Sequence, residues 1–280
     1  MRIGVLGAGG RMGREVCRAV LAHPGLELAA AVDPGFAGVE LSELIGAGAG
    51  EMAVAGELDA MTAAGVEVAV DFTRIEAARV NLPFCAESGI HAVVGTTGLT
   101  ASDLEDLGRR FTGVGRAPNC IVAPNFAIGA VLMMRFAELA APWFSGAEII
   151  ELHREGKLDA PSGTAMRTAE MIAGALSATA SNGAARDVVG NDGYPADRTV
   201  HRLVDGARGG TGPGGVRLHS VRLPGFVAHQ EVVFGGDGQT LTIRHDSTDR
   251  VSFMAGVILA VESVPTRPGL TVGLEPLLGF

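Results

Sequence analysis

The sequence predicts an α/β fold, with an N-terminal doubly wound parallel sheet followed by a second, α+β domain built on an open sheet. Three observations carry this. Short apolar runs alternate with helix-like runs through the first 125 residues, the pattern of strands joined by crossover helices. The chain starts with a strand, a glycine-rich turn and a helix. From residue 216 onward, three alternating runs (216–222, 228–234 and 239–245) follow one another with no helix between them, as in an open sheet.

Taken in order, residues 2–6 are a buried strand that enters Gly7-Ala8-Gly9-Gly10-Arg11-Met12-Gly13. A helix-like run then extends to Leu21. Gly7, Gly10 and Gly13 form G-x-x-G-x-x-G, a variant of the dinucleotide fingerprint. Its glycines permit a tight turn and let backbone approach a pyrophosphate. A second strand, 28–32, ends at Asp33, where an acid meets adenosine ribose hydroxyls. Arg11 is the cation within reach of a 2′-phosphate. Strand 66–70 ends at Asp71-Phe72-Thr73 and helix 77–88 follows. Strand 91–94 ends at Gly95-Thr96-Thr97-Gly98, and Ser102 starts a helix. Strand 120–123 ends at Pro124-Asn125-Phe126. Ligands of open α/β sheets sit outside the carboxyl ends of the strands. Phe72, Thr73, Gly95, Thr96, Thr97, Ala123, Asn125 and Phe126 are therefore expected to line one crevice with the glycine-rich turn.

The pattern then changes. A helix over 129–141 precedes a strand over 148–153, which feeds Glu151 to Ala165, ELHREGKLDAPSGTA. Pro161 disfavours helix at Ala160. Ser162-Gly163-Thr164 then opens onto a helix over 165–176. A helix N-terminus exposes unpaired N–H groups and the positive end of the dipole, which together bind anions. His153 offers a proton donor beside this seat, and Arg154 and Lys157 offer cations, so the segment suits a carboxylate substrate. The acids Glu148 and Glu151 read as structural, as do His91, His229 and His245. Residues 180–215 lack periodicity and read as a long surface excursion. A helix over 254–261 and an aperiodic tail, 268–280, close the chain.

The 280 residues hold one large domain or two ordinary ones, and 47% hydrophobic content suits a globular protein. No apolar run reaches the length of a membrane span, and no secretory signal is expected. Cys17, Cys85 and Cys120 read as reduced core thiols of a cytosolic protein, and no Cys/His cluster has metal-ligand spacing. A net charge of -9 argues against nucleic-acid binding and requires an anion site to be built locally.

The motifs Gly7 to Gly13, Asp71-Phe72-Thr73, Gly95-Thr96-Thr97-Gly98, Ala123-Pro124-Asn125-Phe126 and Lys157 to Ala165, in this order over nearly the whole chain, resemble the 4-hydroxy-tetrahydrodipicolinate reductase (dihydrodipicolinate reductase) family. The closing stretches, 223–250 and 267–278, look like its actinobacterial branch. The resemblance implies a Rossmann dinucleotide-binding domain over 1–125 and 251–280 and a substrate-binding and oligomerisation domain over 126–250. It implies a cytoplasmic homotetramer of lysine and diaminopimelate biosynthesis that reduces a cyclic imine dicarboxylate with NADH or NADPH. His153 matches the family's proton donor, and Lys157 the lysine that contacts substrate. Gly163 and Thr164 match the pair whose backbone binds a substrate carboxylate. One departure stands out, because Arg154 replaces the family's second histidine, a carboxylate contact.

Other readings stay open at this point. A paralogue could reduce a different cyclic imine dicarboxylate. A non-catalytic NAD(P)-binding sensor would not need the His153/Lys157 pair. A semialdehyde dehydrogenase needs a nucleophilic cysteine, and none of the three sits in a polar turn.

Overall fold

A computed structural model describes residues 1–46, 48–115, 117–182, 193–195 and 197–280, the side chains of 179–182 excepted. The chain divides into two compact units, Met1–Ile128 with Arg250–Phe280, and Gly129–Asp249.

In the first unit, β1 (Arg2–Leu6) leads to α1 (Arg11–Ala22) and β2 (Glu27–Val32). Two short helices follow, α2 (Leu41–Ile45) and α3 (Asp59–Ala63). Then come β3 (Val68–Asp71), α4 (Ile75–Glu87), β4 (His91–Val94), α5 (Ala101–Arg110) and β5 (Cys120–Val122). β3 and β5 are buried along their whole length and β1 and β4 nearly so, which is why they read as continuous apolar runs. α1 buries Gly13, Val16, Cys17 and Val20, one face at helical spacing. α5 begins with a capping box between Thr100 and Asp103.

In the second unit, α6 (Ile128–Ala140) precedes β6 (Gly146–His153), α7 (Gly163–Asn182), β7 (Gly210–Thr211), β8 (Arg217–Arg222), β9 (Ala228–Gly236) and β10 (Gln239–Ser247). They form a mixed sheet ordered β10-β9-β6-β8-β7, with β6 antiparallel to β9 and parallel to β8. α7 packs on β6. Ala147, Ile149 and Glu151 of β6 are buried, while Glu148, Ile150 and Leu152 on the opposite face are half-buried.

The chain then returns to the first unit as α8 (Met254–Ser263) and β11 (Leu270–Val272). The first sheet is ordered β11-β5-β4-β3-β1-β2 and is parallel throughout. All its strands therefore end on one side. α8 packs against α1. Gly256 lies so close to the Phe126 carbonyl that any Cβ would strike it, which brings α8 onto the loop after β5.

Several expectations need correction. The aperiodic tail contains a strand, β11, which pairs with β5 at the sheet edge. A three-residue strand is too short to show a period. Asn119 holds this return: its amide donates to Val264 O (2.9 Å) and Pro265 O (3.1 Å), and its carbonyl accepts from Gly269 N (3.0 Å). α2 and α3 were not expected, since five residues carry little periodic signal. α7 runs well beyond the expected 165–176, because the sequence after Leu176 contains no proline before Asn182. Of the 180–215 excursion, 183–192 and 196 lie outside the described residues. The rest is not purely surface. Tyr194 is buried and donates to Ala141 O (2.9 Å), and Asp197 pairs with Arg202, Arg208 and Arg217.

Candidate active site

In the first unit the strand tips come together around the glycine-rich turn. Gly7 has φ +80°, and its N–H donates to Val32 O (2.8 Å). A Cβ on Gly13 would strike the Gly7 backbone, so only glycine lets α1 start this close to β1. A Cβ on Gly9 would enter the Phe36 ring, and one on Gly10 would lie 3.1 Å from Gly7 O. Gly9 is held from both sides: its N–H donates to Asp33 Oδ2 (3.0 Å), and its carbonyl accepts from Arg14 Nε (2.8 Å). Asp33 also caps the turn after β2 by accepting from Gly35 N (3.0 Å). A carboxylate has about four acceptor positions, so it keeps capacity for ribose hydroxyls. Among the described residues no acceptor faces the N–H groups of Arg11 and Met12, and α1 carries no acid in its first turn. The cradle thus fits the pyrophosphate of a dinucleotide. Arg11 is exposed.

The other tips are organised by Asp71, fully buried at the end of β3. Its carboxylate accepts from Thr73 N (2.9 Å), Thr73 Oγ1 (2.7 Å), Thr96 Oγ1 (2.6 Å) and Asn81 Nδ2 (2.8 Å). The hydroxyl hydrogens of Thr73 and Thr96 are thus directed to Asp71, leaving lone pairs and backbone groups for a ligand. Phe72 stacks against Gly95, where a Cβ would collide with its ring. Ala123 and Phe126 are buried, and the Phe126 ring meets that of Phe72 at 5.6 Å. Both side chains therefore pack inward at the strand tip. Asn125 is half-buried and its carbonyl accepts from Ala127 N (2.9 Å); Thr97 is exposed.

In the second unit, β6 and the start of α7 bring the Glu151 to Ala165 motif together. α7 starts at Gly163, so the Gly163-Thr164 pair forms its first residues rather than a turn before it. Ser162 caps it, its Oγ accepting from Ala165 N (3.2 Å). Gly163 is exposed and Thr164 half-buried at the helix N-terminus. Arg154 is exposed in the turn after β6. Lys157 Nζ pairs with Asp159 Oδ1 at 2.8 Å, and Lys157 holds the Asp159 carboxyl below the usual carboxylate range.

The residue that sequence reasoning missed is Glu151. It was read as structural, and its buried carboxylate joins His153 to the residue that precedes α7, Ser162. Oε2 lies 2.5 Å from His153 Nδ1, and Oε1 accepts from Ser162 N (3.2 Å). Arg222 grips both oxygens, Nη1 to Oε2 at 2.9 Å and Nη2 to Oε1 at 2.7 Å, and also donates to Asp159 O (2.8 Å). The signal was the two-residue spacing of Glu151 and His153, which puts both on one face of a strand. Arg222 pairs in register with His153 across β6 and β8, a relation no local pattern discloses.

Burial pushes the Glu151 carboxyl up, but hydrogen bonds from Arg222, Ser220 and His153 outweigh it, and the carboxyl ends below its ordinary range. Burial lowers the His153 imidazole, and Glu151 only partly offsets it, with Lys157 and Arg222 opposing protonation as well. His153 therefore titrates below the ordinary value.

Comparison with known proteins agrees over the whole chain. The family model described as "Dihydrodipicolinate reductase, N-terminus" matches residues 1–126, and "Dihydrodipicolinate reductase, C-terminus" matches residues 129–278. The 4-hydroxy-tetrahydrodipicolinate reductase of Nocardia farcinica is 50% identical over 278 residues, 99% of this chain and 98% of that one. That of Mycobacterium marinum is 46% identical over 280 residues, 100% of both chains. A dipicolinate-bound dihydrodipicolinate reductase from Paenisporosarcina sp. TG-14 superposes with TM-score 0.80 at 37% identity, covering 99% of this chain and 98% of that one. An amine dehydrogenase from Mycobacterium smegmatis, at 13% identity and TM-score 0.61 over 97% of this chain and 94% of that one, shares the fold alone.

The Asp71 network yields a direct test. Asp71→Asn turns an amide NH2 toward groups that themselves donate, so at least one buried donor loses its acceptor. Urea unfolding is expected to show a loss of about 2–4 kcal/mol. Stability within about 0.5 kcal/mol of the parent would mean that the network is dispensable.

Proposed function

Because the chain belongs to the dihydrodipicolinate reductase family, we propose that it reduces 4-hydroxy-tetrahydrodipicolinate to tetrahydrodipicolinate in lysine and diaminopimelate biosynthesis. The observation that carries this reading is His153 beside the capped N-terminus of α7, both tied to Glu151. A sensor would have no use for such a pairing of acid and anion seat. All three cysteines are buried, with the Cys17 and Cys85 thiols pushed up to about 12 by burial. That disfavours the thioester chemistry of a semialdehyde dehydrogenase.

Residues 1–125 and 251–280 form the dinucleotide-binding domain in this proposal, and 126–250 the substrate and oligomerisation domain. Gly7, Gly9, Gly10, Arg11, Met12 and Gly13 hold the pyrophosphate, and Asp33 the ribose. The tips at Phe72, Thr73, Gly95, Thr96, Thr97, Ala123, Asn125 and Phe126 complete that pocket. The bound nicotinamide cofactor supplies a hydride for an electron-poor ring carbon of the imine. Ser162, Gly163 and Thr164 seat one substrate carboxylate on the α7 N-terminus, and Lys157 exchanges Asp159 for it. Arg154 takes the carboxylate contact of the family's second histidine. His153 donates the proton, for which it must be imidazolium. Its lowered pKa means that kcat/KM falls tenfold per pH unit above that pKa. A bound dicarboxylate favours the imidazolium, so KM rises with pH.

The first test is oxidation of NADH or NADPH on enzymatically generated 4-hydroxy-tetrahydrodipicolinate, with other cyclic imines alongside. His153→Ala is expected to lower kcat about 10²–10⁴-fold. Lys157→Ala should chiefly raise KM. Arg154→Ala should cost about 1.5–3 kcal/mol in kcat/KM, the scale of a hydrogen bond to a charged group. Wild-type kcat in both His153→Ala and Lys157→Ala would remove the assignment. Turnover only of another imine would favour the paralogue.

For the cofactor we propose a mild preference for NADH with NADPH accepted, because the Asp33 carboxylate repels a 2′-phosphate while exposed Arg11 attracts it. A kcat/KM for NADPH tenfold above that for NADH would contradict this.

A cytoplasmic homotetramer joined through the second sheet is the proposed assembly. Half-buried Ile150, Leu152, Val221 and Val233 on the face opposite α7 support it. Light scattering should give four times the 28.6 kDa chain mass, and a monomer would exclude it.

A further inference from the structure

We propose that Glu151 is a positioning residue of the reaction: clamped by Arg222, it fixes His153 by Nδ1 so that the proton leaves from Nε2, and through Ser162 it ties that proton donor to the carboxylate seat. The proposal rests on the reductase reading of the site, but part of its test does not.

Glu151 is fully buried, and its carboxylate faces donors: His153 Nδ1, Ser162 N, both terminal nitrogens of Arg222 and the Ser220 hydroxyl. A carboxylate can only accept, so the hydrogen between Glu151 and His153 belongs to Nδ1. Nε2 is then the atom left for the reacting centre. This is the division of labour by which a buried acid orients a histidine and supports its imidazolium without itself being protonated. Arg222 keeps Glu151 ionised, and its extra bond to Asp159 O fastens the loop that carries Lys157 and leads into Ser162.

Charges face His153 from three directions: Glu151 on its own strand, Arg222 on β8, and Lys157, paired with Asp159, in the following loop. Its register partner on β9 is the uncharged Ala228. Glu151 supports the imidazolium, while Arg222 and Lys157 oppose it. Changes at Glu151 and Arg222 should therefore move the titration of His153 in opposite directions, which a merely structural pair would not do.

The test uses the full chain and two variants. In Glu151→Gln, Ser162 N and Arg222 Nη2 draw the amide oxygen to the Oε1 position, so the NH2 points at His153 Nδ1 and reverses the tautomer. Histidine-selective ¹⁵N spectra at pH 8, with His153 assigned by its loss in His153→Gln, should show Nδ1–H in the parent and Nε2–H in Glu151→Gln. The pKa limiting kcat/KM should fall by about one unit in Glu151→Gln. In Arg222→Met it should rise, extending activity to higher pH. Opposite shifts with the tautomer reversal support the proposal. It is overturned by an Nε2–H tautomer in the parent, by a Glu151→Gln variant unchanged in tautomer and pH profile, or by shifts of the same sign. If Glu151→Gln does not fold, the parent tautomer and Arg222→Met still decide. A parent that shows Nδ1–H but no turnover would refute the reductase reading and leave the Glu151 clamp standing.

Discussion

The second unit depends on one buried carboxylate that must stay charged. Stripped of water, an ion of this kind costs several kcal/mol unless good geometry restores the loss. Glu151 recovers it by taking both nitrogens of Arg222, the imidazole of His153 and the N–H of Ser162. Because each donor comes from a different place, meeting the electrostatic demand also assembles the site. β6 supplies the acid and the histidine, β8 the arginine, and the loop before α7 the N–H. Removing Arg222 leaves the charge uncompensated, and removing a neutral donor leaves an acceptor unpaired, in a desolvated place, so the geometry is held by the cost of its alternatives.

The first unit applies the same logic with a different acid. Asp71 closes β3 and gathers Thr73, Asn81 and Thr96, which fixes two strand tips relative to each other. No arginine takes part, and the four hydrogen bonds that stabilise it come from neutral groups. Neutral donors suit a crevice meant for a polyanion, because they leave local cations such as Arg11 uncommitted.

His153 is pulled two ways. Burial favours the neutral ring, whereas Glu151 favours the imidazolium. Under the proposed reading, an arriving dicarboxylate would raise its pKa, so that His153 is charged chiefly when substrate is present. Arg154 sits outside this balance. It is exposed in the turn after β6, where the proposed function has it meet a substrate carboxylate.

Much of this was legible in the sequence because it is local. Strand, glycine turn and helix at residues 2–22, the acid at Asp33, and Ser162-Gly163-Thr164 at the start of α7 each follow from backbone rules spanning a few residues. The family resemblance added the reaction. The two short helices, β11 and the buried Tyr194 were not legible, because three to five residues carry no period and burial of one tyrosine depends on a distant carbonyl. The role of Glu151 was hidden for the same reason. Its spacing to His153 is local, but Arg222 lies 71 residues away and reaches it only through strand pairing. Sequence by itself determined the elements and the chemistry of the motif. Tertiary structure alone decided which acid is desolvated, and hence which one holds His153, because desolvation is a property of the surroundings and not of the residue.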